Sequence, residues 1–362
     1  MKKKILIFHP LIAPYRLDLF NKLYKDFDTT ICLTQQSWSG DMFYGLERQF
    51  LFSPVYLDDK NILKRIYQIN KLLKTISPDV VIVSECGIYS YVAVLYCILF
   101  NHKCKRVSFI DDSYDMISGN HHFTKRHKWS ERIILPLLNE VICVEPRVAD
   151  YFKKQYGVGY FFPIIRDEIL LRNQWPSIKK YSSRFICDFG LANKTVFIYV
   201  GRLVSIKNVI FLIQAFKVAN LKNAKLIIVG DGVEKENLER EAEKNENIVF
   251  TGRIEGLPLY AWYDIGDVFI LPSTLEPFGA VTNEALIMGC QSLISKLAGS
   301  SCLIEEGING SVFDPYDQDA CVALLKKYNE KSLRDECGKK PCLMTRTFDS
   351  YYSDLCNKVL LS

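Results

Sequence analysis

The sequence predicts an α/β protein of two doubly wound, Rossmann-like domains facing across a cleft. Three observations predict it. Short apolar runs alternate with helix-period segments, the mark of a parallel sheet wrapped by helices. The alternation runs twice, with a break in rhythm near residues 172–193. The length, 362 residues, exceeds one ordinary core at roughly 150 residues per domain.

In the first half, strands are expected at Ile5–Phe8, Thr30–Leu33, Val80–Val83, Val107–Ile110 and Val141–Val144. Helical patterns lie between them at about 15–26, 60–75, 88–101, 125–138 and 146–156. A first domain of 1–172 follows, then a linker over 173–193, where Trp175-Pro176, Lys179-Lys180 and Ser182-Ser183 leave little apolar surface to bury. A second domain, 194–330, repeats the rhythm with strands at Val196–Val200, Leu226–Val229, Ile248–Phe250, Val268–Leu271 and Ser292–Ile294. Its helices are expected near 208–219, 234–245, 258–265, 282–289 and 317–328. The tail, 331–362, reads as helix, with Phe348, Tyr351, Tyr352, Leu355 and Val359 at helical spacing, and is expected to cross back to the first domain.

Composition excludes several classes. Apolar residues are 49% and charged residues 24%, which is globular and neither disordered nor fibrous. No apolar run reaches the roughly 18 residues of a membrane span, and the apolar start, Ile5–Phe8, is too short for a signal peptide. A cytoplasmic protein is expected, resting at most on the inner face of a membrane. The 12 cysteines include no C-x-x-C pair, so buried free thiols are expected in place of a zinc site or disulfide framework. Residues 1–172 carry 24 Lys and Arg against 18 Asp and Glu, a balance of +6. That fits an acidic ligand or membrane surface and is too weak to imply nucleic acid.

Two motifs carry chemistry. Glu276-Pro-Phe-Gly-Ala-Val-Thr-Asn-Glu284 follows a strand, turns at Gly279 and enters a helix. That geometry offers backbone N–H groups and a positive helix end to a diphosphate. Glu276 and Glu284 can accept hydrogen bonds from ligand hydroxyls, Glu284 from a vicinal diol such as a ribose. The second motif, Tyr199-Val-Gly-Arg-Leu-Val-Ser-Ile-Lys-Asn208, places Arg202 and Lys207 around one loop after a strand. The two cations can converge on phosphate oxygens. Each residue alone could be an ordinary surface charge; the combination is the signal.

With Gly230-Asp-Gly232, Pro272-Ser273 and Gly289-Cys290 added, residues 195–315 resemble family 4 glycosyltransferases, retaining sugar-nucleotide-dependent enzymes of the GT-B fold. The resemblance implies catalytic roles for Arg202 and Lys207 on the diphosphate and for Glu276 on the donor sugar. It implies donor contacts from Arg253, Phe278, Gly279, Ala280, Val281 and Glu284, and a glycine loop at Ala298-Gly299-Ser300-Ser301. It implies no metal, a nucleotide-diphosphate sugar (most simply a UDP-sugar) as co-substrate, and a glycan or lipid-linked acceptor, as in bacterial lipopolysaccharide or capsule synthesis.

The first half departs from that family. His9-Pro-Leu-Ile-Ala-Pro-Tyr-Arg16 stands where a glycine-rich loop is usual, and Asp111 or Asp112 stands roughly where many members carry a histidine. His9, Arg16, Asp111 and Asp112 are the acceptor-side candidates. The run Asp111–Asp115 could also be read as Mg²⁺ ligands or as plain loop acids. Residues 60–74 form a basic amphipathic pattern, with Ile62, Ile66, Ile69 and Leu73 on one stripe flanked by Lys60, Lys64, Lys71 and Lys74. It fits either anionic lipid or a solvated face over a sheet. Two rivals remain. An NAD-dependent oxidoreductase would need a G-x-G-x-x-G run that neither half has. A sugar- or nucleotide-binding protein without transferase activity would have no use for the Arg202, Lys207, Glu276 and Glu284 set.

Overall fold

A computed structural model describes residues 2–34, 49–58, 60–85, 87–118, 125–243, 245–329 and 338–362. The chain divides into two compact units, Met1–Arg166 with Asp349–Ser362, and Asp167–Phe348.

The first unit carries strands β1 (Lys4–His9), β2 (Asp28–Leu33), β3 (Val55–Tyr56), β4 (Val80–Ser84), β5 (Lys105–Ile110), β6 (Glu140–Cys143) and β7 (Tyr160–Phe161). They pair in parallel in the order β3-β2-β1-β4-β5-β6-β7. Ile5, Leu6, Ile7 and Phe8 are all fully buried, as a strand covered on both faces requires. Its helices are α1 (Pro14–Asp26), α2 (Ile62–Ile76), α3 (Ile88–Phe100), α4 (Tyr114–Ser118), α5 (Lys125–Ile134) and α6 (Pro146–Tyr156). Pro14 and Pro146 open α1 and α6 at positions where a missing N–H costs nothing. Gly157, at φ 77°, closes α6. The helix expected over 125–138 stops at Ile134, and a 3₁₀ turn containing Pro136 follows.

The second unit carries α7 (Glu168–Arg172), α8 (Trp175–Asp188), β8 (Thr195–Val200), α9 (Val209–Ala219), β9 (Ala224–Val229), α10 (Lys235–Glu241), β10 (Ile248–Gly252), α11 (Leu257–Ile265), β11 (Val268–Leu271), α12 (Val281–Ile287), β12 (Gln291–Ser295), β13 (Gly310–Phe313) and α13 (Gln318–Tyr328). Its six strands pair in parallel in the order β10-β9-β8-β11-β12-β13. Among the described strands, β3 and β7 escape the sequence reading because two residues are too few to show a period, and β13 because its Gly-Ser-Val-Phe has no apolar run.

The expected linker over 173–193 is a helix instead. Trp175, Ile178, Ser182, Phe185 and Phe189 fall on one stripe, which the intervening Lys and Ser residues hide in a simple apolar count. The stripe packs on α11: Phe185 stacks on Trp262 at 4.7 Å between ring centroids, and Phe189 meets it edge-on. Trp175 donates its indole N–H to Asp264 at 3.0 Å. The break between units falls at Arg166/Asp167 rather than at 172/173.

Of the tail, 331–337 lies outside the described residues. Residues 338–347 stay with the second unit, where Arg172 donates to the carbonyls of Ile287 and Lys340. The last helix, α14 (Phe348–Leu355), continues as a π-helical turn to Leu360. From Asp349 onward it clusters with the first unit: Tyr351 meets Phe161 and Phe162 edge-on, Asp349 pairs with Lys22 at 3.1 Å, and Lys3 donates to the Leu360 carbonyl.

Candidate active site

In the second unit the expected donor residues stand at the carboxyl edge of the sheet. The edge has a switch point between β8 and β11, because β8 continues to β9 and β11 to β12. Open α/β sheets bind ligands at such a point.

Two loops meet tightly beside it. A Cβ on Gly230 would stand 1.9 Å from the Gly201 carbonyl oxygen, and one on Gly232 would stand 2.3 Å from that of Leu203. Glycine at 230 and 232 therefore serves loop-to-loop contact. The Tyr199 hydroxyl donates to the Arg202 carbonyl at 2.9 Å, and the Leu203 amide donates to the Asp231 carbonyl at 2.9 Å, fixing the start of the Arg202–Lys207 loop. Arg202 is exposed. Lys207 turns inward and forms an ion pair with Glu276, both side chains only about one-tenth exposed. Thr274 donates its amide to the Ile206 carbonyl at 2.9 Å, so the post-β8 and post-β11 loops are joined by backbone as well. Burial and the nearby Glu276 carboxylate push the Tyr199 phenol well up and keep it neutral.

The Glu276–Gly279 segment lies along the expected glycine loop. The Gly299 amide donates to the Glu276 carbonyl at 3.1 Å and the Ser300 amide to that of Phe278 at 2.7 Å. A Cβ on Gly299 would stand 2.3 Å from the Pro277 carbonyl oxygen. Gly279 turns at φ 92°, in the left-handed region. The amides of Ala280 and Val281 then stand at the open end of α12. Thr282 and Ser300 share a buried hydroxyl–hydroxyl contact at 2.8 Å. Glu284 is half-buried and accepts from the Tyr260 hydroxyl at 3.3 Å. Burial first, then the nearby Glu284 charge, holds the Tyr263 phenol neutral.

The structure thus joins Lys207 to Glu276, and Glu276 and Phe278 to the Ala298–Ser301 turn. Glu284 is held separately, by Tyr260. Arg253 follows β10 and is half exposed, its guanidinium on Glu255 at 2.5 Å. Tyr199, Tyr260 and Tyr263 escape the sequence reading because tyrosine in an apolar run looks like core.

At the carboxyl edge of the first unit, Arg16 is buried and ion-paired with Asp111. His9 ends β1 and is buried; burial first, then the Arg16 charge, lowers its pKa to about 4. Asp112 is pushed up to about 7 by burial and by Glu85, Glu131 and Asp111. Three of the four expected acceptor-side residues, His9, Arg16 and Asp111, therefore form one constellation, and Asp112 adjoins it. Glu85 is the member the sequence did not flag. Among the described residues no three His, Cys, Asp or Glu side chains converge as a metal-ligand set, the Asp111–Asp115 run included.

Residues 188–340 match the family model "Glycosyl transferases group 1". That match lies within the second unit. The sulfoquinovosyl transferase of Arabidopsis thaliana is 30% identical over 178 residues, 48% of this chain and 34% of that protein. This chain thus spans about a third of the first curated relative's length. The lipopolysaccharide 1,6-galactosyltransferase of Escherichia coli is 25% identical over 364 residues, 92% of each chain. Among solved structures, Anabaena HepE in complex with UDP superposes with a TM-score of 0.69 at 21% identity, over 90% of this chain and 89% of that one. The fold, two Rossmann-like units with parallel sheets, is that of GT-B glycosyltransferases.

Proposed function

We propose that the protein is a retaining glycosyltransferase that moves a sugar from a nucleotide diphosphate, a UDP-sugar first, to a hydroxyl of a glycan or lipid-linked acceptor in bacterial surface polysaccharide synthesis. The observation that carries this reading is the Lys207–Glu276 ion pair across the β8/β11 switch point, inside a group 1 family segment. HepE, bound to UDP, and the galactosyltransferase relative support the donor and the pathway class.

In this reading Lys207 and Arg202 hold the diphosphate, assisted by the amides of Ala280 and Val281. Their charge matters most as the leaving group gathers negative charge, so they act on the transition state. An arriving diphosphate competes with Glu276 for Lys207 and frees that carboxylate for the hydroxyls of the donor sugar. Glu284, oriented by Tyr260, takes the ribose diol. Arg253 and Ile254 pass beside the base. No nucleophilic side chain is assigned; the acceptor hydroxyl attacks from the leaving-group face, and its proton goes to the departing diphosphate. Two cations and a helix end supply the charge stabilisation, so no divalent metal is required. Incubation with UDP-, GDP- and ADP-sugars, following nucleotide release with and without EDTA, tests the reading. Release that needs Mg²⁺ or Mn²⁺ contradicts the metal-free part, and no release with any donor contradicts the whole.

The acceptor is assigned to the first unit, and a cytoplasmic protein resting on an anionic membrane is the accompanying proposal. Among the described residues no helix is long and apolar enough to cross a membrane. In α2 the expected stripe divides: Ile69 and Leu73 are buried, Ile66 is intermediate, and Ile62, with Leu63 and Tyr67, is exposed beside the exposed Lys60, Lys64, Lys71 and Lys74. Exposed apolar residues among lysines suit an anionic lipid surface. Flotation with anionic liposomes tests this: binding at low salt that is lost when the four lysines become Glu supports it, and a wild-type protein that stays in the soluble fraction contradicts it.

A further inference from the structure

The loop between β8 and α9 is anchored in two different ways. The Leu203 amide donates to the Asp231 carbonyl at 2.9 Å, and the Ile206 carbonyl accepts from the Thr274 amide at 2.9 Å. The Asn208 side-chain amide donates to the Pro315 carbonyl at 3.0 Å. These three bonds tie the loop to the backbone of the loops after β9, β11 and β13. Arg202 is tied otherwise: its carbonyl accepts from the Tyr199 hydroxyl at 2.9 Å, a side chain of the strand that the loop leaves. The Arg202 side chain is exposed. A long exposed side chain has rotamer freedom to lose when it grips a ligand, and a fixed backbone beneath it lowers that cost.

Packing alone does not call for tyrosine at 199. Side chains alternate along a strand, so Phe197 and Tyr199 lie on one face of β8. Both are fully buried, and phenylalanine serves at 197. Tyrosine adds a hydroxyl, and a buried hydroxyl costs free energy unless it is bonded. The Arg202 carbonyl is its partner. A Cβ on Gly201 would stand 2.7 Å from the same hydroxyl oxygen. Residue 201 therefore closes down on the phenol, and residue 202 follows at bonding distance. Burial raises the Tyr199 pKa most; Glu276 raises it further and Arg202 lowers it. The phenol thus stays a neutral donor within electrostatic reach of both charges.

We infer that Tyr199 is a positioning residue for the diphosphate: its hydroxyl sets the Arg202 backbone, so the guanidinium meets phosphate oxygens with little further ordering. Tyr199 touches no substrate in this account. Lys207 has anchors of its own, the Glu276 ion pair and the neighbouring Ile206–Thr274 bond, so the effect of Tyr199 passes through Arg202. The inference rests on the proposed donor role of Arg202 and extends it to a residue that otherwise counts as core.

The test is a double-mutant cycle of Tyr199→Phe and Arg202→Ala in the full chain. UDP, GDP and ADP are titrated by calorimetry, the cycle is read with the one that binds tightest, and thermal unfolding checks that each variant is folded. Tyr199→Phe is expected to weaken binding about threefold to tenfold, the range of one neutral hydrogen bond. In the Arg202→Ala background the same change is expected to alter affinity by less than about twofold, because the group it positions is gone. A merely structural role would weaken binding by the same factor in both backgrounds, and that result overturns the inference. So does unchanged affinity in Tyr199→Phe while Arg202→Ala binds weakly; the donor reading then stands and the inference falls alone. Full affinity in Arg202→Ala, or no binding of any of the three nucleotides by the wild type, removes the donor role of Arg202 and the inference with it. If Arg202→Ala binds too weakly to titrate, hydrogen exchange of the amides of residues 201–204 in the nucleotide-free chain decides. Faster exchange in Tyr199→Phe than in the wild type supports the inference, and equal exchange overturns it.

Discussion

At the carboxyl edge of the second unit, loops touch backbone to backbone, and glycine is what lets them. At the matching edge of the first unit, side chains fill the corresponding place: a buried arginine, a neutral histidine and a group of carboxylates. The two sheets have the same central order, with the first strand flanked by the second and fourth of its own unit. The comparison teaches where a site leaves its trace. A loop packed so close to another backbone that an added Cβ would stand about 2 Å from its carbonyl oxygen fixes glycine at set positions, as at Gly230 (1.9 Å from the Gly201 oxygen) and Gly299 (2.3 Å from the Pro277 oxygen). A site built from side chains needs only their convergence in space, and that has no fixed spacing along the chain.

The largest expected effect falls on the donor edge. Lys207→Ala removes the proposed charge-assisted contact to phosphate and leaves Glu276 buried without its cation. A loss of about 1.5–3 kcal/mol of transition-state stabilisation, roughly 10- to 150-fold in kcat, is expected from steady-state kinetics. Arg202→Ala acts in the same direction. A change confined to KM would mean that Lys207 binds ground and transition states alike.

Gly230→Ala sharpens the claim that backbone proximity dictates the second unit's motif. The added methyl meets the Gly201 carbonyl at 1.9 Å, and overpacking of that kind costs about 1–3 kcal/mol. A lowered midpoint in urea unfolding is expected. An unchanged midpoint would show that the two loops can part freely.

Tyr260→Phe deletes the hydroxyl that reaches Glu284 at 3.3 Å. Loss of one neutral donor, about 0.5–1.5 kcal/mol, should raise the KM for the sugar nucleotide a few-fold at nearly constant kcat. A fall in kcat with KM unchanged would place Tyr260 in the chemistry.

A separate effect, on stability, concerns the first unit's carboxylates. The folded pKa of Asp112 is raised from 3.8 to about 7 by burial and by Glu85, Glu131 and Asp111. Between those values the folded state holds a proton that the unfolded state has released. Stability from this group is therefore present below pH 3.8 and declines as pH rises toward 7. Asp112→Asn removes that slope, so its melting temperature should exceed that of the wild type more at pH 8 than at pH 4. Parallel pH profiles for the two proteins would contradict the crowding of charge at this edge.

Much of the fold is legible in the sequence because the buried parallel strands are uniformly apolar: Ile5–Phe8 and Val196–Val200 stand out unaided. The proposed donor site is legible because glycines and charges sit in fixed order after β8 and β11. What is not legible has physical reasons. The α8 stripe of Trp175, Ile178, Phe185 and Phe189 is diluted by lysines and serines, so a helix reads as a linker. The edge strands β3 and β7 are two residues each. Glu85 lies far in sequence from Arg16 and Asp111, and only the β1/β4/β5 pairing brings them to one edge.

The central claim is that the second unit, through Lys207 at the β8/β11 switch point, holds the diphosphate of a sugar nucleotide. Calorimetric titration of UDP into the wild type and Lys207→Ala tests it most directly, with no knowledge of the acceptor required. Saturable binding by the wild type, weakened about tenfold or more in the variant, is the predicted result. Equal affinity in the two proteins, or no binding of UDP, GDP or ADP by the wild type, would contradict it.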